Sequence, residues 1–202
     1  MTAELKRKVA REAATLLYFG AEKEYKQAKA RAAKTLGAHF LPSNLEVALE
    51  LDAIAEENEG TDRMDRLVKR RKEALGIMKL LDVYCPLLIG SVWRGTSRRG
   101  SDIDIAVYAD DPQEVVDKLR AQGVNVSKTA WITVNKQGLT MESFHIYTET
   151  SSGHGIEIVV RSVNDKSRKR KCEIYGDEIK GLKIQELEKV LKDNPTQKFV
   201  PS

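Results

Sequence analysis

The sequence predicts an α+β protein in which a helical N-terminal region is followed by a mixed sheet with helices on one face. Apolar residues recur at helical spacing up to about residue 84, and beyond residue 85 they alternate with a period of two. The 202 residues, 41% of them hydrophobic, suffice for one ordinary domain or for a compact domain with an appended helical region. We therefore predict a helical region over 1–84 and a sheet domain over 85–202.

Three helices are predicted in the helical region. The first begins near the N-terminus and extends to about residue 36, because Gly37 then interrupts the helical pattern. Ser43 and Glu46 have the spacing of a capping box, which predicts that a second helix begins there. Gly60 ends this second helix, and a third helix with its own apolar stripe follows.

Five strands and two longer helices are predicted in the sheet domain. The strands are short apolar or alternating segments at 87–89, 103–107, 132–134, 144–146 and 156–160. One helix begins at Asp111 and Pro112, because proline favours the first turn of a helix. The other covers 184–191. The turn at 150–153 is typical of a hairpin between the last two strands.

The composition excludes several classes of protein. No apolar run approaches the ~20 residues that a membrane span requires. The N-terminal segment mixes charge into its apolar positions and does not resemble a signal peptide. Two cysteines cannot build a disulfide framework or a four-cysteine zinc site. We therefore expect a cytoplasmic protein with no membrane partner.

The charge is nearly balanced but unevenly distributed. A net charge of +4 does not by itself establish binding to nucleic acid. Two basic clusters, at 66–72 and 161–171, stand out from the rest of the chain. Either cluster could contact phosphates, and either could equally be a solvated surface.

Three carboxylates are candidates for a metal site. Asp102 and Asp104 are two residues apart on a predicted strand, so both project from one face, while Ile103 and Ile105 project from the other. Glu157 lies on a second alternating strand and is a candidate third carboxylate, with Glu142 and Glu149 as alternatives if the register differs. Adjacent carboxylates raise each other's pKa unless a cation lies between them, and Mg²⁺ or Mn²⁺ suits such oxygen ligands. If the two strands are neighbours, the three residues could hold two metal ions about 4 Å apart.

A candidate phosphate-binding segment precedes these carboxylates. Gly90 and Ser91 follow an apolar strand and open a short predicted helix. A glycine lets a phosphate approach the backbone closely, and the Ser91 hydroxyl and the start of the helix offer hydrogen-bond donors. Arg94 is a candidate cation for a triphosphate, with a surface salt bridge as the alternative. His145 shares a strand face with Ser143 and Tyr147, so it could face the cleft, but we expect a structural or surface role for it.

The segment GSVWRGTSRRGSDIDIAVY at 90–108 resembles the signature of the DNA polymerase beta-type nucleotidyltransferase superfamily. The pattern is Gly-Ser, a spacer, and Asp-hydrophobic-Asp. The flanking residues are similar to two branches, the minimal nucleotidyltransferases and the catalytic head of archaeal-type CCA-adding enzymes. The resemblance implies a polymerase beta-like sheet and makes 85–202 the catalytic domain. Nothing over 1–84 resembles the family.

The resemblance also implies roles for individual residues. Gly90 and Ser91 would bind the triphosphate, and Asp102 and Asp104 would bind both metal ions. Glu157 would be the third ligand and the base for the acceptor hydroxyl, although the family usually has the shorter aspartate there. The reaction would be in-line attack by a hydroxyl on the α-phosphate of an NTP, ATP among them, with release of pyrophosphate.

The sequence leaves the acceptor open. An RNA end or another nucleic-acid end is favoured by the two basic clusters. One alternative is a minimal nucleotidyltransferase of antitoxin type that transfers AMP to a protein. Another is a catalytically silent module of the same fold that binds nucleic acid or a protein partner.

Overall fold

The structure, a computed structural model, describes residues 2–136 and 139–201. The chain forms two compact units. The first, which we call the helical unit, contains the residues up to Arg63 and the segment Lys171–Glu178. The second, the sheet unit, contains Met64–Arg170 and Ile179–Val200. The division after residue 63 differs from the predicted division after residue 84.

The helical unit is built from α1 (Thr2–Tyr18), α2 (Tyr25–Thr35) and the beginning of α3 (Asn44–Leu80). The single first helix expected from the sequence is therefore two helices. Gly20 lies between them with a φ of 73°, a left-handed conformation that interrupts a right-handed helix. The predicted capping box is present, since the Glu46 amide donates to Ser43 Oγ (3.1 Å) and the Ser43 amide donates to the Glu46 carboxylate (2.7 Å).

The position of the unit boundary follows from the course of α3. Gly60 is non-helical within it, with φ 54° and ψ −144°, as the sequence predicted for a break at this residue. Beyond this break, α3 buries Leu67, Ala74 and Met78 in the same core as the strands of the sheet. This half of α3 therefore belongs to the sheet unit, because its apolar stripe is covered there.

The sheet unit contains a five-stranded mixed sheet in the order β1-β2-β5-β4-β3. Strands β2 and β5 are parallel, and every other neighbouring pair is antiparallel. The elements are β1 (Leu87–Ile89), α4 (Gly90–Arg94), β2 (Ile103–Tyr108), α5 (Pro112–Ala121), β3 (Val126–Lys136), β4 (Leu139–Glu149), β5 (Gly155–Arg161) and α6 (Ile184–Asp193). Two short 3₁₀ helices lie at Asp82–Tyr84 and Val163–Asp165.

The two faces of the sheet differ in character. One face carries buried residues, among them Ile105 and Ile158, and packs with apolar residues of α3, α5 and α6 in one core. The other carries the side chains that alternate with these, including Asp104 and Glu157, and we call it the carboxylate face. The predicted α+β class with a mixed sheet is confirmed. No helix in the described part of the chain is both long and apolar enough to cross a membrane.

Candidate active site

The Gly90–Ser91 segment lies at the junction of β1 and α4. Gly90 has a φ of +71°, which glycine adopts without strain. A Cβ at this position would overlap the Asp104 carboxylate, so the backbone of Gly90 lies directly against that side chain. Glycine at this position therefore brings the candidate phosphate-binding backbone next to the carboxylate face. The helix it opens has only five residues.

The strand pairing brings the three candidate carboxylates together. In the parallel pair of β2 and β5, Asp104 is the register partner of Glu157. Asp102 precedes β2, and a Cβ on Gly155 at the start of β5 would overlap its carboxylate. Asp102 is exposed, whereas Asp104 and Glu157 are partly buried. The condition set by the sequence, that these two strands be neighbours, is therefore met.

The three carboxylates form a crowded cluster of negative charge. Burial, followed by the nearby charges of Glu157 and Asp102, raises the pKa of Asp104 from 3.8 to about 7. A divalent cation bound to these oxygens would reverse that shift, because it stabilises the ionised carboxylates. The donor set consists of carboxylate oxygens, which fit hard ions such as Mg²⁺. As they stand, the described side chains include no group of three or more arranged to hold a metal ion.

Glu157 is held by a chain of polar side chains from β4. The Nδ1 atom of His145 lies 2.7 Å from Glu157 Oε1, and the Ser143 hydroxyl lies 2.8 Å from His145 Nε2. Tyr147 is the register partner of Glu157, and its ring stacks on His145 with 6.4 Å between the ring centroids. Burial and then the neighbouring Glu157 raise the pKa of Tyr147. These contacts fix the orientation of the third carboxylate.

His145 makes a contact with Glu157 that the sequence did not predict. We expected a structural or surface role, yet its ring touches a candidate ligand from the adjacent strand. The alternation of Ser143, His145 and Tyr147 predicts that the three share a face. Nothing in the alternation predicts the register that places this face beside Glu157, because register is set by pairing between strands.

Arg94 has different surroundings from those expected of a triphosphate ligand. Its side chain is only 3% exposed, and Nη1 donates to the backbone carbonyl of Phe199 (3.0 Å). Its guanidinium also lies over the ring of Trp93, 4.5 Å from the centroid. These contacts bury the cation against the C-terminal segment, and a role for Arg94 in binding a nucleotide stays a prediction.

The basic cluster after β5 begins at the end of that strand that is farther from Asp102. It begins at Arg161, at the carboxyl end of β5, whereas Asp102 lies beside the amino end of that strand. Four residues separate Glu157 from Arg161, about 13 Å along a strand. Arg170 in this cluster pairs with Asp165 at 2.8 Å. Arg161 therefore lies at the opposite end of β5 from Asp102.

The motif at 90–108 predicted a nucleotidyltransferase, and the comparison with protein families agrees. A family model of the nucleotidyltransferase domain matches residues 64–193, and the chain belongs to this family. The matched domain family is one of transferases that move nucleotidyl groups. The match begins in the second half of α3, close to the start of the sheet unit.

Two solved structures are similar to parts of the chain. A cytoplasmic RNA terminal U-transferase has 15% sequence identity and a TM-score of 0.29, over 58% of this chain and 34% of that one. A poly(U) polymerase bound to MgATP has 15% identity and a TM-score of 0.31, over 48% and 32%. The aligned part is about a third of the length of each of these proteins. No curated protein sequence matches the chain.

Proposed function

We propose that the chain transfers an NMP from an NTP to a hydroxyl acceptor, with an RNA end or another nucleic-acid end as the favoured acceptor. The observation that carries this proposal is the register of β2 and β5, which sets Asp104 beside Glu157, with Gly90 against Asp104. A phosphate-binding backbone next to clustered carboxylates is what transfer of a phosphoryl-linked group requires. We also propose a cytoplasmic location, which rests on the composition of the chain.

The nucleotide and the metal have assigned positions in this proposal. The backbone of Gly90 admits the triphosphate closely, and the Ser91 hydroxyl donates a hydrogen bond to it. Asp102, Asp104 and Glu157 would hold Mg²⁺ or Mn²⁺, which would neutralise phosphate charge and activate the attacking oxygen. These three side chains supply the negative charge that draws the cation to the carboxylate face.

The acceptor hydroxyl is activated by Glu157 in this scheme. Its oxygen attacks the α-phosphorus of the NTP, and the bond from that phosphorus to the pyrophosphate oxygen breaks. The acceptor's proton passes to the Glu157 carboxylate, which His145 keeps in orientation through Nδ1. Most of the rate comes from positioning and electrostatics rather than from covalent chemistry by the protein.

A labelling experiment tests the proposal. Purified protein is incubated with each of the four α-labelled NTPs, Mg²⁺ or Mn²⁺, and total RNA. The wild type is compared with Asp102→Ala/Asp104→Ala and with Asp110→Ala, which removes an exposed carboxylate beyond the end of β2. Label on RNA that appears with the wild type and Asp110→Ala, and not with the double variant, supports the proposal and identifies the preferred base.

The other outcomes separate the alternatives. Label on a co-expressed protein, with none on RNA, replaces the nucleic-acid acceptor by a protein acceptor. RNA binding that is equal in the wild type and in Asp102→Asn/Asp104→Asn, without any transfer, contradicts the proposal and favours the silent binding module.

A further inference from the structure

The C-terminal segment of the sheet unit packs against the candidate nucleotide-binding helix α4. We call residues 194–199, which follow α6, the C-terminal strap. The family match ends at residue 193, so the strap lies outside the matched domain. Its contacts with α4 are made through backbone atoms and through two buried arginines.

Arg71 joins the strap to α4. Its side chain is wholly buried, and its guanidinium donates to four backbone carbonyls. Two belong to α4, those of Val92 (3.1 Å) and Trp93 (2.9 Å). Two belong to the strap, those of Pro195 (2.7 Å) and Gln197 (2.8 Å). One rigid, five-donor group thus holds both segments at a fixed separation.

A second set of contacts joins the two segments directly. The Phe199 amide donates to the Arg94 carbonyl (2.9 Å), and Arg94 Nη1 donates back to the Phe199 carbonyl (3.0 Å). Gly95 has a φ of +76°, and a Cβ there would lie 2.7 Å from the Gln197 carbonyl oxygen. The strap therefore fits closely under the end of α4, with no room for a side chain at residue 95.

A five-residue helix needs such external support. It is too short to be stable alone, and its last carbonyls have no partners within the helix. Arg71 satisfies two of these carbonyls. The preceding residue, Arg70, donates to the Arg98 and Arg99 carbonyls (2.9 and 2.8 Å), in the loop that leads to Asp102. Successive arginines of α3 thus hold both α4 and the loop that joins it to the carboxylates.

We propose that Arg71 and the C-terminal strap are positioning elements for nucleotide binding, which set the place of Gly90 and Ser91 through α4. This inference rests on the proposed function, because it takes the Gly90–Ser91 segment to be the triphosphate site. It also assigns Arg94 a role: the residue supports the nucleotide site through the strap rather than by touching phosphate. We expect a displacement of α4 to weaken NTP binding more than it slows the transfer step at the carboxylates.

The first test uses a pair of glycine variants with the same backbone strain. Gly95→Ala introduces a Cβ against the strap, whereas Gly123→Ala has a similar φ of +77° and an open surrounding. The affinity for a non-hydrolysable ATP analogue with Mg²⁺ is measured by calorimetry on the folded full-length chain. We expect Gly95→Ala to weaken binding about tenfold or more. Gly123→Ala should bind as the wild type does.

The second test uses a pair of buried arginines from α3. Arg71→Lys keeps the charge and loses the fixed fork of donors. Arg63→Lys is the control, because Arg63 is also buried but bonds Asp52 within the helical unit. We expect Arg71→Lys to raise KM for NTP more than it lowers kcat, and Arg63→Lys to leave KM unchanged. Thermal unfolding of each variant establishes that the protein is folded at the assay temperature.

The outcomes distinguish this inference from the proposed function. If the wild type binds no NTP, the proposed function fails and this inference fails with it. If the wild type binds NTP and Gly95→Ala and Arg71→Lys bind it as tightly as their controls, only the positioning role is overturned.

Discussion

Replacing Asp104 by asparagine should stabilise the metal-free protein while abolishing its activity. The pKa of this carboxyl is raised from 3.8 to about 7 by burial and by Glu157 and Asp102. The difference of about 3 pKa units corresponds to at most about 4 kcal/mol, at 1.36 kcal/mol per unit. Asparagine has nearly the same shape and no charge, so it avoids the cost of ionising a crowded, partly buried carboxyl.

The pH dependence of this effect has a definite sign. A carboxyl with a raised pKa binds its proton more tightly in the folded state than in the unfolded state. Its contribution to stability is fully present below pH 4 and is lost as the pH rises through about 7. The advantage of Asp104→Asn should therefore be greatest near pH 8, about 2–4 kcal/mol, and should diminish toward pH 4.

Denaturant unfolding in the presence of EDTA measures this difference at pH 8, 6.5 and 4.5. Asp110→Asn serves as the control for removing an exposed negative charge and should change stability by less than about 0.5 kcal/mol. Excess Mg²⁺ should stabilise the wild type and leave Asp104→Asn unchanged. The raised pKa of Asp104 is contradicted if Asp104→Asn is neutral or destabilising at pH 8. It is also contradicted if the gain in stability is the same at all three pH values.

Three further predictions concern the carboxylate face. Gly90→Ala should abolish nucleotide binding, measured by calorimetry, because its Cβ would overlap Asp104. Gly76→Ala, with open space around it in α3, should be neutral or should stabilise the fold by up to about 1 kcal/mol, measured by denaturation. His145→Gln should lower the transfer rate about tenfold by releasing Glu157, with a weaker Mn²⁺ affinity by titration; an unchanged affinity and rate would contradict this role. Glu157→Asp should retain more activity in the labelling assay than Glu157→Gln, since a metal ligand and base requires the charge; wild-type activity in both variants would remove Glu157 from the site.

The features of this protein that could be predicted from its sequence are those determined by residues close together in the chain. The motif from Gly90 to Asp104 lies within fifteen residues, and its residue types and spacing indicate both the superfamily and the candidate ligands. The alternation of Ile103 and Ile105 with the two aspartates predicted which side of β2 is apolar. The break in α3 was likewise visible as Gly60. The catalytic roles of Asp102, Asp104 and Glu157 stay predictions until the labelling assay is done.

The predicted elements and the structure differ where tertiary contacts decide the outcome. The first helix was expected to continue past Gly20, because a single glycine in a helical pattern often only weakens the helix. The division after residue 84 followed the change of hydrophobic period. The structure divides the chain after residue 63, because Leu67 and Met78 of α3 are buried in the core of the sheet.

The sequence by itself determined the fold class, the kind of chemistry and the residues available for it, since these depend on residue type and short-range spacing. Only the tertiary structure decided which side chains meet. His145 reaches Glu157 through the register of β4 and β5, and Arg94 contacts Phe199, which is 105 residues away. Such contacts depend on strand pairing and on where the chain returns. A sequence pattern describes one segment at a time, so it predicts neither the strand pairing nor the place where the chain returns.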